Sequence, residues 1–441
     1  MSLFDQELDR RLAALREQGL GRSLRQVDSP QGTRIRANGR ELLNFSSNDY
    51  LGLANHPALK EAALRAVTLY GAGCGASRLI CGSLAPHHEL EEALAVFKGT
   101  EAALTFSSGY ATALGTLPAL VGKGDVVVID KLAHACLVDA ARLSGAKLRV
   151  FAHNDLNDLE DILKWADRVR NPKPEVRNPK PEVRSLEARP PASGIRHPAS
   201  AIRSPGDPPR VLIVTESVFS MDGDLAPLRE IVNLKDRHGA WLMVDEAHAT
   251  GVFGSSRRGL VDECELTDRV EVQMGTLGKA LGASGGYLAG SRALVDYLVN
   301  RARSFIFSTA PVPAAAAAAR AAVALVQSDE GRRRCEQLWA RVAECLAGGL
   351  PELWTGPRKT GTARSSPILP LIIGDEAEAV RVAAALLDHG ILLPAVRYPA
   401  VARGSARLRL TLSAGHTAEE LARLGQALAA VLPRSAFRVP Q

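Results

Sequence analysis

A lysine, an aspartate and a histidine near the middle of the chain are of types that support covalent catalysis. Asp245 ends the apolar run Trp241-Leu-Met-Val, and His248 follows shortly after it. Lys279 lies within Gly275-Thr-Leu-Gly-Lys-Ala-Leu-Gly, where small residues would let a flat ring approach the backbone closely. Each residue alone is a weak signal, since strand-end acids usually cap turns and loop lysines are usually solvated. Their order predicts a lysine that holds an organic cofactor as a Schiff base.

Pyridoxal 5′-phosphate (PLP) is the cofactor whose needs these residues meet. Its chemistry requires a lysine for the Schiff base and a buried carboxylate that keeps the ring nitrogen protonated, so that the ring withdraws electrons. The charge of the ring nitrogen keeps such a carboxylate ionised despite its burial. Lys279 and Asp245 are predicted to fill these two roles. His248 is predicted to lie near the phenolic oxygen of the cofactor.

The phosphate of such a cofactor requires backbone N–H groups at the start of a helix. The stretch Phe106-Ser-Ser-Gly-Tyr-Ala opens a helical pattern and supplies such a turn, although similar turns also occur without a ligand. The predicted cofactor contacts outside the central three residues are Ser108, Gly109, Tyr110, Ser220 and Thr276. Another glycine-rich run, Gly71-Ala-Gly-Cys-Gly-Ala-Ser, lacks the Gly-Lys-Ser/Thr ending of a nucleotide-binding loop.

The elements that must position these residues alternate between strands and helices. The predicted strands cover 125–130, Val211–Glu216, Trp241–Asp245 and 270–274, and helical patterns include Ala135–Ser144 and 227–238. This alternation predicts an α/β fold with a mostly parallel sheet, and functional groups belong at the carboxyl ends of its strands. His134 lies just beyond one such end, where a residue could cover a cofactor ring or simply cap a helix.

The 441 residues suggest a large domain followed by a smaller one. We predict an N-terminal helical segment over 1–44, a cofactor-binding domain over 45–309 and a small α+β domain over 310–441. The stretch 168–209 contains the tandem repeat Asn-Pro-Lys-Pro-Glu-Val-Arg and lacks apolar periodicity. It is predicted to be a disordered surface insertion, because it cannot bury enough surface to offset its ordering entropy.

Composition argues against several classes of protein. The net charge of +6 is spread along the chain without a dense basic run, which argues against nucleic-acid binding. The six cysteines form no Cys-x-x-Cys pair and no zinc pattern, so we expect free thiols and no metal. The N-terminus lacks an apolar signal region, and the apolar stretch 311–326 contains Arg320. A cytoplasmic protein without a membrane segment is expected.

Several stretches match a known family pattern along nearly the whole chain outside 168–209. They are Asn44-Phe-Ser-Ser-Asn-Asp-Tyr-Leu-Gly-Leu, Phe151-Ala-His-Asn-Asp, Thr215-Glu-Ser-Val-Phe-Ser-Met-Asp-Gly-Asp, Val244-Asp-Glu-Ala-His-Ala-Thr-Gly, Thr276-Leu-Gly-Lys-Ala-Leu-Gly and Ala406-Arg-Leu-Arg-Leu-Thr-Leu. With these motifs the chain resembles the α-oxoamine synthases, which are fold-type I PLP enzymes. The resemblance implies a mostly parallel, seven-stranded type of sheet flanked by helices.

The resemblance also implies roles for individual residues. Lys279 would bind the cofactor and later move the α-proton, Asp245 would pair with the ring nitrogen, and His134 would stack on the ring. The residues implied for substrate binding are Asn48 and Arg397 at the amino-acid carboxylate, Arg25 at the acyl substrate, His134, and Ala400. Ala400 departs from the family, which often has threonine there, so a hydroxyl contact to the acyl group is lost. A homodimer is implied, with Ser308 and Thr309 reaching the neighbouring cofactor.

The reaction implied by the resemblance is a decarboxylating condensation of an amino acid with an acyl thioester. The pattern most favours L-alanine with pimeloyl-CoA or a pimeloyl carrier protein, and Ser46-Ser47 leans the same way. Glycine C-acetyltransferase is the nearest alternative, although its pattern favours a cysteine in the loop that here reads Asp245-Glu-Ala-His. A catalytically silent binding protein on the same fold is the alternative from another class.

Overall fold

The computed structural model describes residues 1–170, 208–347 and 366–432. The helices are α1 Leu3–Glu17, α2 Pro57–Tyr70, α3 Ala85–Lys98, α4 Gly109–Leu120, α5 Ala135–Ser144, α6 Leu156–Arg170, α7 Leu228–Arg237, α8 Leu260–Glu263, α9 Arg292–Arg301, α10 Arg303–Ile306, α11 Pro313–Gln327, α12 Asp329–Ala347, α13 Glu376–Asp388 and α14 Ala418–Val431. The strands are β1 Arg34–Ala37, β2 Arg40–Asn44, β3 Ala102–Phe106, β4 Val126–Asp130, β5 Lys147–Phe151, β6 Val211–Glu216, β7 Trp241–Asp245, β8 Val272–Thr276, β9 Gly286–Gly290, β10 Ile368–Gly374, β11 Ile391–Leu392, β12 Ala395–Val396 and β13 Ala406–Thr411.

A seven-stranded sheet in the order β3-β9-β8-β7-β6-β4-β5 forms the centre of the molecule. The neighbours from β8 through β7, β6 and β4 to β5 pair in parallel, whereas β9 runs antiparallel to both β8 and β3. The predicted α/β fold with a mostly parallel sheet of seven strands is therefore confirmed. The strand expected at 270–274 begins and ends two residues later, as β8.

Helices cover both faces of this sheet, which explains why its inner strands are apolar along their whole length. In β4, Val126 and Val128 belong to one hydrophobic cluster, and Val127 and Ile129 belong to another. Alternate side chains of a strand point to opposite faces, so each cluster fills the space between the sheet and one helical layer. The carboxyl ends of β4, β6, β7 and β8 are thereby held at one edge.

Two smaller sheets contain the N-terminal and C-terminal strands. β10, β13 and β12 form an antiparallel sheet, while β2 pairs with β1 on one side and in parallel with β11 on the other. Within 1–44, only α1 is a long helix, and none of its residues is buried. The predicted division at residues 44 and 309 remains a proposal, since β2 joins the N-terminal segment to the C-terminal part.

Most of the predicted insertion, residues 171–207, lies outside the described residues. Its two ends meet, because Arg170 Nε donates a hydrogen bond to the Pro209 carbonyl oxygen over 2.9 Å. The same guanidinium donates to the carbonyl oxygens of His238 and Gly239. The end of α6 and the residues just before β6 therefore lie side by side. Among the helices of the described segments, none combines the length and apolar character needed to cross a bilayer.

Candidate active site

The three central residues predicted from the sequence meet at the carboxyl edge of the large sheet. Asp245 is the last residue of β7 and lies opposite Glu216 of β6 and Met274 of β8. Lys279 follows β8 in a tight loop in which the Gly282 N–H donates to the Lys279 carbonyl oxygen over 2.8 Å. Parallel strands bring their carboxyl ends together, so residues distant in sequence share one edge.

Gly282 shows why the lysine loop requires a small residue. Its φ of +61° lies in the left-handed region that favours glycine, and a Cβ atom there would lie 2.5 Å from the Leu53 carbonyl carbon. A side chain at this position would push the lysine loop away from the segment that precedes α2. The short approach holds the lysine loop against Leu53 and Ala54.

Lys279 and His248 are in direct contact. Lys279 Nζ lies 2.5 Å from His248 Nε2, and His248 Nδ1 lies 2.5 Å from the Tyr50 hydroxyl oxygen. Burial lowers the pKa of Lys279 to about 8, against the charges of Asp245 and Glu216. Burial also lowers the pKa of His248 well below its ordinary value, and the charge of Lys279 adds to this effect. The histidine is therefore neutral, and the lysine loses its proton near pH 8.

Two buried carboxyl groups lie side by side next to this lysine. Asp245 Oδ1 accepts a hydrogen bond from the Ala247 N–H over 2.9 Å, and Glu216 Oε2 accepts one from the Ser220 N–H over 3.2 Å. Burial raises the pKa of Asp245, and burial together with the charge of Asp245 raises that of Glu216 well above its ordinary value. Glu216 therefore retains a proton more readily, and Asp245 is the carboxylate available to a cation. Glu216 Oε1 is buried without a hydrogen-bond partner in the structure.

The start of α4 faces the same space. Ser108 is its N-cap, with Oγ accepting a hydrogen bond from the Ala111 N–H over 3.1 Å. A Cβ atom on Gly286 would lie 2.5 Å from the Gly109 nitrogen, so β9 packs directly against the helix start. Tyr110 points away from the N-cap, because its hydroxyl donates to Asp139 Oδ2 over 2.8 Å. A helix N-terminus in this position can bind an anionic group.

The remaining predicted cofactor contacts are close to these elements. His134 caps α5, with Nδ1 accepting a hydrogen bond from the Cys136 N–H over 3.2 Å. Burial lowers the pKa of His134, opposed by the charge of Asp245. Thr276 ends β8, and its hydroxyl donates to the Gly285 carbonyl oxygen over 3.0 Å. Both capping and a cofactor contact, the two readings of His134, are compatible with this position.

Arg409 is a site residue that sequence reasoning missed. Its guanidinium donates from Nη1 to Asn48 Oδ1 over 3.0 Å and from Nε to the Ser220 carbonyl oxygen over 2.5 Å. Its charge lowers the pKa of Lys279 and of His248. A buried arginine among these groups is a fixed positive charge that can pair with a carboxylate. The signals in the sequence were the matching stretch Ala406-Arg-Leu-Arg-Leu-Thr-Leu, which contains Arg409, and the charged residues that alternate with leucines in β13.

The other predicted substrate contacts are Arg397, Arg25 and Ala400. Arg397 is partly buried, and its Nη2 donates to the Gly21 carbonyl oxygen over 2.7 Å. The arginine that is hydrogen-bonded to Asn48 is thus Arg409 and not Arg397. Arg397 instead contacts the N-terminal segment, which also contains the exposed Arg25. Ala400 is exposed in a turn closed by its N–H and the Arg397 carbonyl oxygen.

The geometry fits a phosphorylated aldehyde cofactor such as PLP. An amine with a lowered pKa can form a Schiff base, a buried carboxylate can pair with a ring cation, and the start of α4 can bind the phosphate. The unpartnered Glu216 Oε1 leaves one buried polar atom available within this space.

Comparison with known proteins gives a consistent result. A family model for aminotransferase class I and II matches residues 40–428. The 8-amino-7-oxononanoate synthase of Geobacter sulfurreducens is 46% identical over 420 residues, covering 95% of this chain and 96% of the relative. The enzyme of the same name from Geotalea daltonii is 44% identical, covering 98% of each chain.

Solved structures agree on the fold. A serine palmitoyltransferase of Sphingomonas wittichii has a TM-score of 0.80 at 29% identity, covering 100% of this chain and 99% of its own. An 8-amino-7-oxononanoate synthase from Francisella tularensis has a TM-score of 0.67 at 24% identity, covering 88% and 96% of the two chains. At that identity the second likeness supports the fold alone.

Proposed function

The chain belongs to the aminotransferase class I and II family and, within it, to the 8-amino-7-oxononanoate synthases, and we propose that it condenses L-alanine with a pimeloyl thioester. The reaction releases CO₂ and the free thiol carrier and gives 8-amino-7-oxononanoate, a step of biotin biosynthesis. The observation that carries this proposal is the cluster of Lys279, Asp245, His248 and Arg409 in a chain similar to these enzymes along nearly its whole length.

PLP is the cofactor on which this activity depends. When bound, it withdraws electrons from the carbon that loses its proton or its carboxyl group. We assign Lys279 to its aldehyde, Asp245 to its ring nitrogen, His248 to its phenolic oxygen and His134 to the ring face. The phosphate is assigned to the start of α4 and to nearby hydroxyl groups, through Ser108, Gly109, Tyr110, Ser220 and Thr276.

Lys279 is assigned the proton transfers of the reaction. A general base works best when its pKa lies near the working pH, and burial brings the pKa of Lys279 to about 8. With the cofactor held in the site, the free amine of Lys279 would take the α-proton of alanine and would later return a proton. His248 stays neutral, so it adds no positive charge beside the amine, and its Nε2–H group can donate a hydrogen bond to the amine once that amine has lost its proton.

Arg409 and Asn48 are proposed to hold the carboxylate of the amino acid. They are hydrogen-bonded to each other, and the charge of Arg409 acts on Lys279 and His248. An arginine clamps a carboxylate with two parallel hydrogen bonds, which fixes the α-carbon relative to the base. This replaces Arg397 in the role predicted from the sequence. Arg397 and Arg25 are proposed for the acyl substrate instead, because Arg397 contacts the N-terminal segment.

The substrates can be tested with four combinations of purified reagents. L-Alanine and glycine are each assayed with pimeloyl-CoA and with acetyl-CoA, and the product amino ketone is identified by mass. We expect product from alanine with pimeloyl-CoA. If glycine with acetyl-CoA is the only combination that gives product, the chain is instead a glycine C-acetyltransferase. A pimeloyl carrier protein in place of pimeloyl-CoA then distinguishes the natural acyl donor, and Ala400→Thr tests whether the missing hydroxyl changes the preferred acyl length.

A homodimer is proposed from the surface around Ser308 and Thr309. Thr309 forms a backbone bridge with Ser77, and the neighbouring Phe307 and Ile80 are 71% and 79% exposed. Large apolar side chains exposed together commonly mark a protein interface. Analytical ultracentrifugation of the wild type should give twice the chain mass, and Phe307→Asp should lower it toward one chain. The six cysteines are all free, which supports a reducing compartment such as the cytoplasm.

A further inference from the structure

Tyr50 occupies the space between the carboxylate-binding arginine and the catalytic lysine. Its side chain is 0% exposed, and its ring packs edge-on against His248 with 6.0 Å between the ring centres. The Tyr50 hydroxyl oxygen lies 2.5 Å from His248 Nδ1 and 3.5 Å from Asn48 Oδ1. The positive charge of Arg409 also acts on the Tyr50 hydroxyl and opposes the burial that raises its pKa. The hydroxyl therefore lies between the Arg409–Asn48 pair and His248, and His248 in turn contacts Lys279.

The donor and acceptor capacities of these groups determine which way the hydroxyl proton points. The guanidinium of Arg409 has no lone pair, so its positive charge favours an orientation in which the Tyr50 oxygen faces the arginine and the hydroxyl proton points away from it. Asn48 Oδ1 already accepts from Arg409 Nη1 over 3.0 Å and is the more distant of the two acceptors of Tyr50. The tyrosine proton is thus left for His248 Nδ1. A neutral imidazole has one N–H, which must then be on Nε2.

We propose that Tyr50 is a positioning residue that holds His248 in the tautomer with its proton on Nε2, facing Lys279 and the phenolic oxygen of the cofactor. This inference rests on the proposed function, since it concerns the orientation of a residue assigned to the cofactor. It places Tyr50 and His248 between the residues proposed to bind the carboxylate, Arg409 and Asn48, and the proposed base, Lys279. The neutral states of both rings support it: burial raises the pKa of Tyr50 to about 12 and lowers that of His248.

The charged groups around His248 decide what the Nε2 proton does. Lys279, Arg409 and His134 each lower the pKa of the imidazole, and Asp245 and Glu216 act on Lys279. In this mostly cationic surrounding, a second proton on His248 is unfavourable. Once the cofactor holds Lys279 as a Schiff base, no ammonium is left to donate to Nε2, and the Nε2–H group would serve as a neutral hydrogen-bond donor to the phenolic oxygen. Without the Tyr50 hydroxyl, Nδ1 loses its donor and the ring is free to turn or to exchange tautomers.

The first test removes only the hydroxyl. In wild-type protein loaded with PLP, the absorbance of the Lys279-bound cofactor is titrated with pH, and the midpoint is compared with that of Tyr50→Phe. We expect the midpoint to rise by roughly 0.4 to 1 pH unit, the equivalent of one hydrogen bond. The reason is that a weaker donor at the phenolic oxygen leaves more negative charge beside the lysine nitrogen. The kcat for alanine should fall, while its KM changes little.

Tyr287→Phe is the matched control. Tyr287 is equally buried, and its hydroxyl is hydrogen-bonded to Thr250 instead of His248. It should leave the midpoint unchanged. An unchanged midpoint in Tyr50→Phe, or an equal shift in both variants, overturns the inference. If wild-type protein shows no absorbance from a lysine-bound cofactor, the proposed function fails, which is a separate outcome.

A second measurement needs no variant. Neutron diffraction on the wild-type holoenzyme exchanged into D₂O locates the deuterium atoms of both side chains. We expect one deuterium on the Tyr50 oxygen directed at His248 Nδ1 and another on His248 Nε2. A deuterium bound to Nδ1 and directed at the tyrosine oxygen contradicts the proposal, whatever the folding of the variants.

Discussion

Two lysine–acid clusters are built on the consecutive residues Asp245 and Glu246, and they differ in how fully the charge of the lysine is compensated. Glu246 pairs with Lys98 across 2.5 Å, and both side chains are 0% exposed. Lys98 Nζ also donates to the Arg258 carbonyl oxygen, and Glu246 Oε1 accepts from the Val261 N–H. The preceding residue, Asp245, faces Lys279, whose nearest hydrogen-bond partner is the neutral His248.

The difference lies in how completely each lysine is compensated. In the first cluster burial lowers the pKa of Lys98, but the charge and hydrogen bond of Glu246, together with Tyr287 and Asp262, outweigh it and raise the pKa overall. In the second, burial outweighs Asp245 and Glu216 and lowers the pKa of Lys279 to about 8. A fully paired buried ion is locked in place and stabilises a loop, whereas an under-compensated one can lose its proton and react. The same residue types thus serve structure in one place and chemistry in the other.

The largest effect is expected from removing the reactive lysine. Lys279→Ala should lower kcat by a factor on the order of 10³ or more, since no other described group can replace its amine in binding the cofactor and moving the proton. The cofactor-free variant should melt no lower than cofactor-free wild type, because a poorly compensated buried amine is lost. Steady-state assays and thermal unfolding measure the two effects. Near-normal turnover would falsify the assignment of Lys279.

The opposite pattern is expected for the other lysine. Lys98→Met leaves Glu246 buried without its partner, and breaking a buried pair in this way costs about 3–5 kcal/mol of unfolding free energy. Urea unfolding of the cofactor-free protein measures this loss. In the control, Lys98→Met combined with Glu246→Leu removes both charges and should recover much of the stability. If the single variant is as stable as wild type, the two clusters do not differ as described.

The two arginines near the site offer a narrower comparison. Arg409→Lys keeps the charge but loses the paired hydrogen bonds, so kcat/KM for L-alanine should fall about 10- to 150-fold. Arg397→Lys should instead raise the KM for the pimeloyl thioester and leave that for alanine nearly unchanged. Initial rates with each substrate varied in turn separate these effects, with melting temperatures as the check on folding. The reverse pattern would return the carboxylate to Arg397.

The smallest expected effect is a pH dependence of stability. Because the pKa of Lys279 falls from 10.5 to about 8 on folding, the unfolded chain binds more protons between these values. The destabilisation caused by Lys279 is therefore full below pH 8 and disappears as the pH rises to 10.5. The stability difference between cofactor-free wild type and Lys279→Met should shrink across this window. The difference between wild type and Lys98→Met should stay constant there, and a parallel decline would remove the contrast.

Much of the fold could be predicted because its signals are local. β6, β7 and α5 begin and end at the predicted residues. Each of these elements shows its own burial in its own sequence, the strands as runs of apolar residues and the helix as apolar residues at helical spacing. The strands β1 and β2 were missed within the N-terminal segment. β2 is completed by pairing with β11, more than three hundred residues away, and no local pattern records that partner.

The site divides in the same way. Asp245, His248 and Lys279 could be predicted because they lie at a strand end and in a glycine-rich loop, which are both recognisable in the sequence. Arg409 was missed because the alternation in β13 shows that one face is polar but not what covers it. Its neighbours Leu408 and Leu410 are buried on one side, while the arginine meets Ser220 and Asn48 on the other. Tyr50 was not singled out, because no local pattern shows that its hydroxyl contacts His248.

The sequence alone therefore predicted the fold class, the kind of cofactor and the three residues Asp245, His248 and Lys279, because spacing along one strand and one loop indicates them. Only the tertiary structure decided that Glu216 lies beside Asp245, that Arg409 reaches Asn48 and that the Tyr50 hydroxyl contacts His248. These contacts depend on strand register and on the packing of one sheet against another. Burial, which changes the pKa of Lys279 and of His248, arises only when those layers meet.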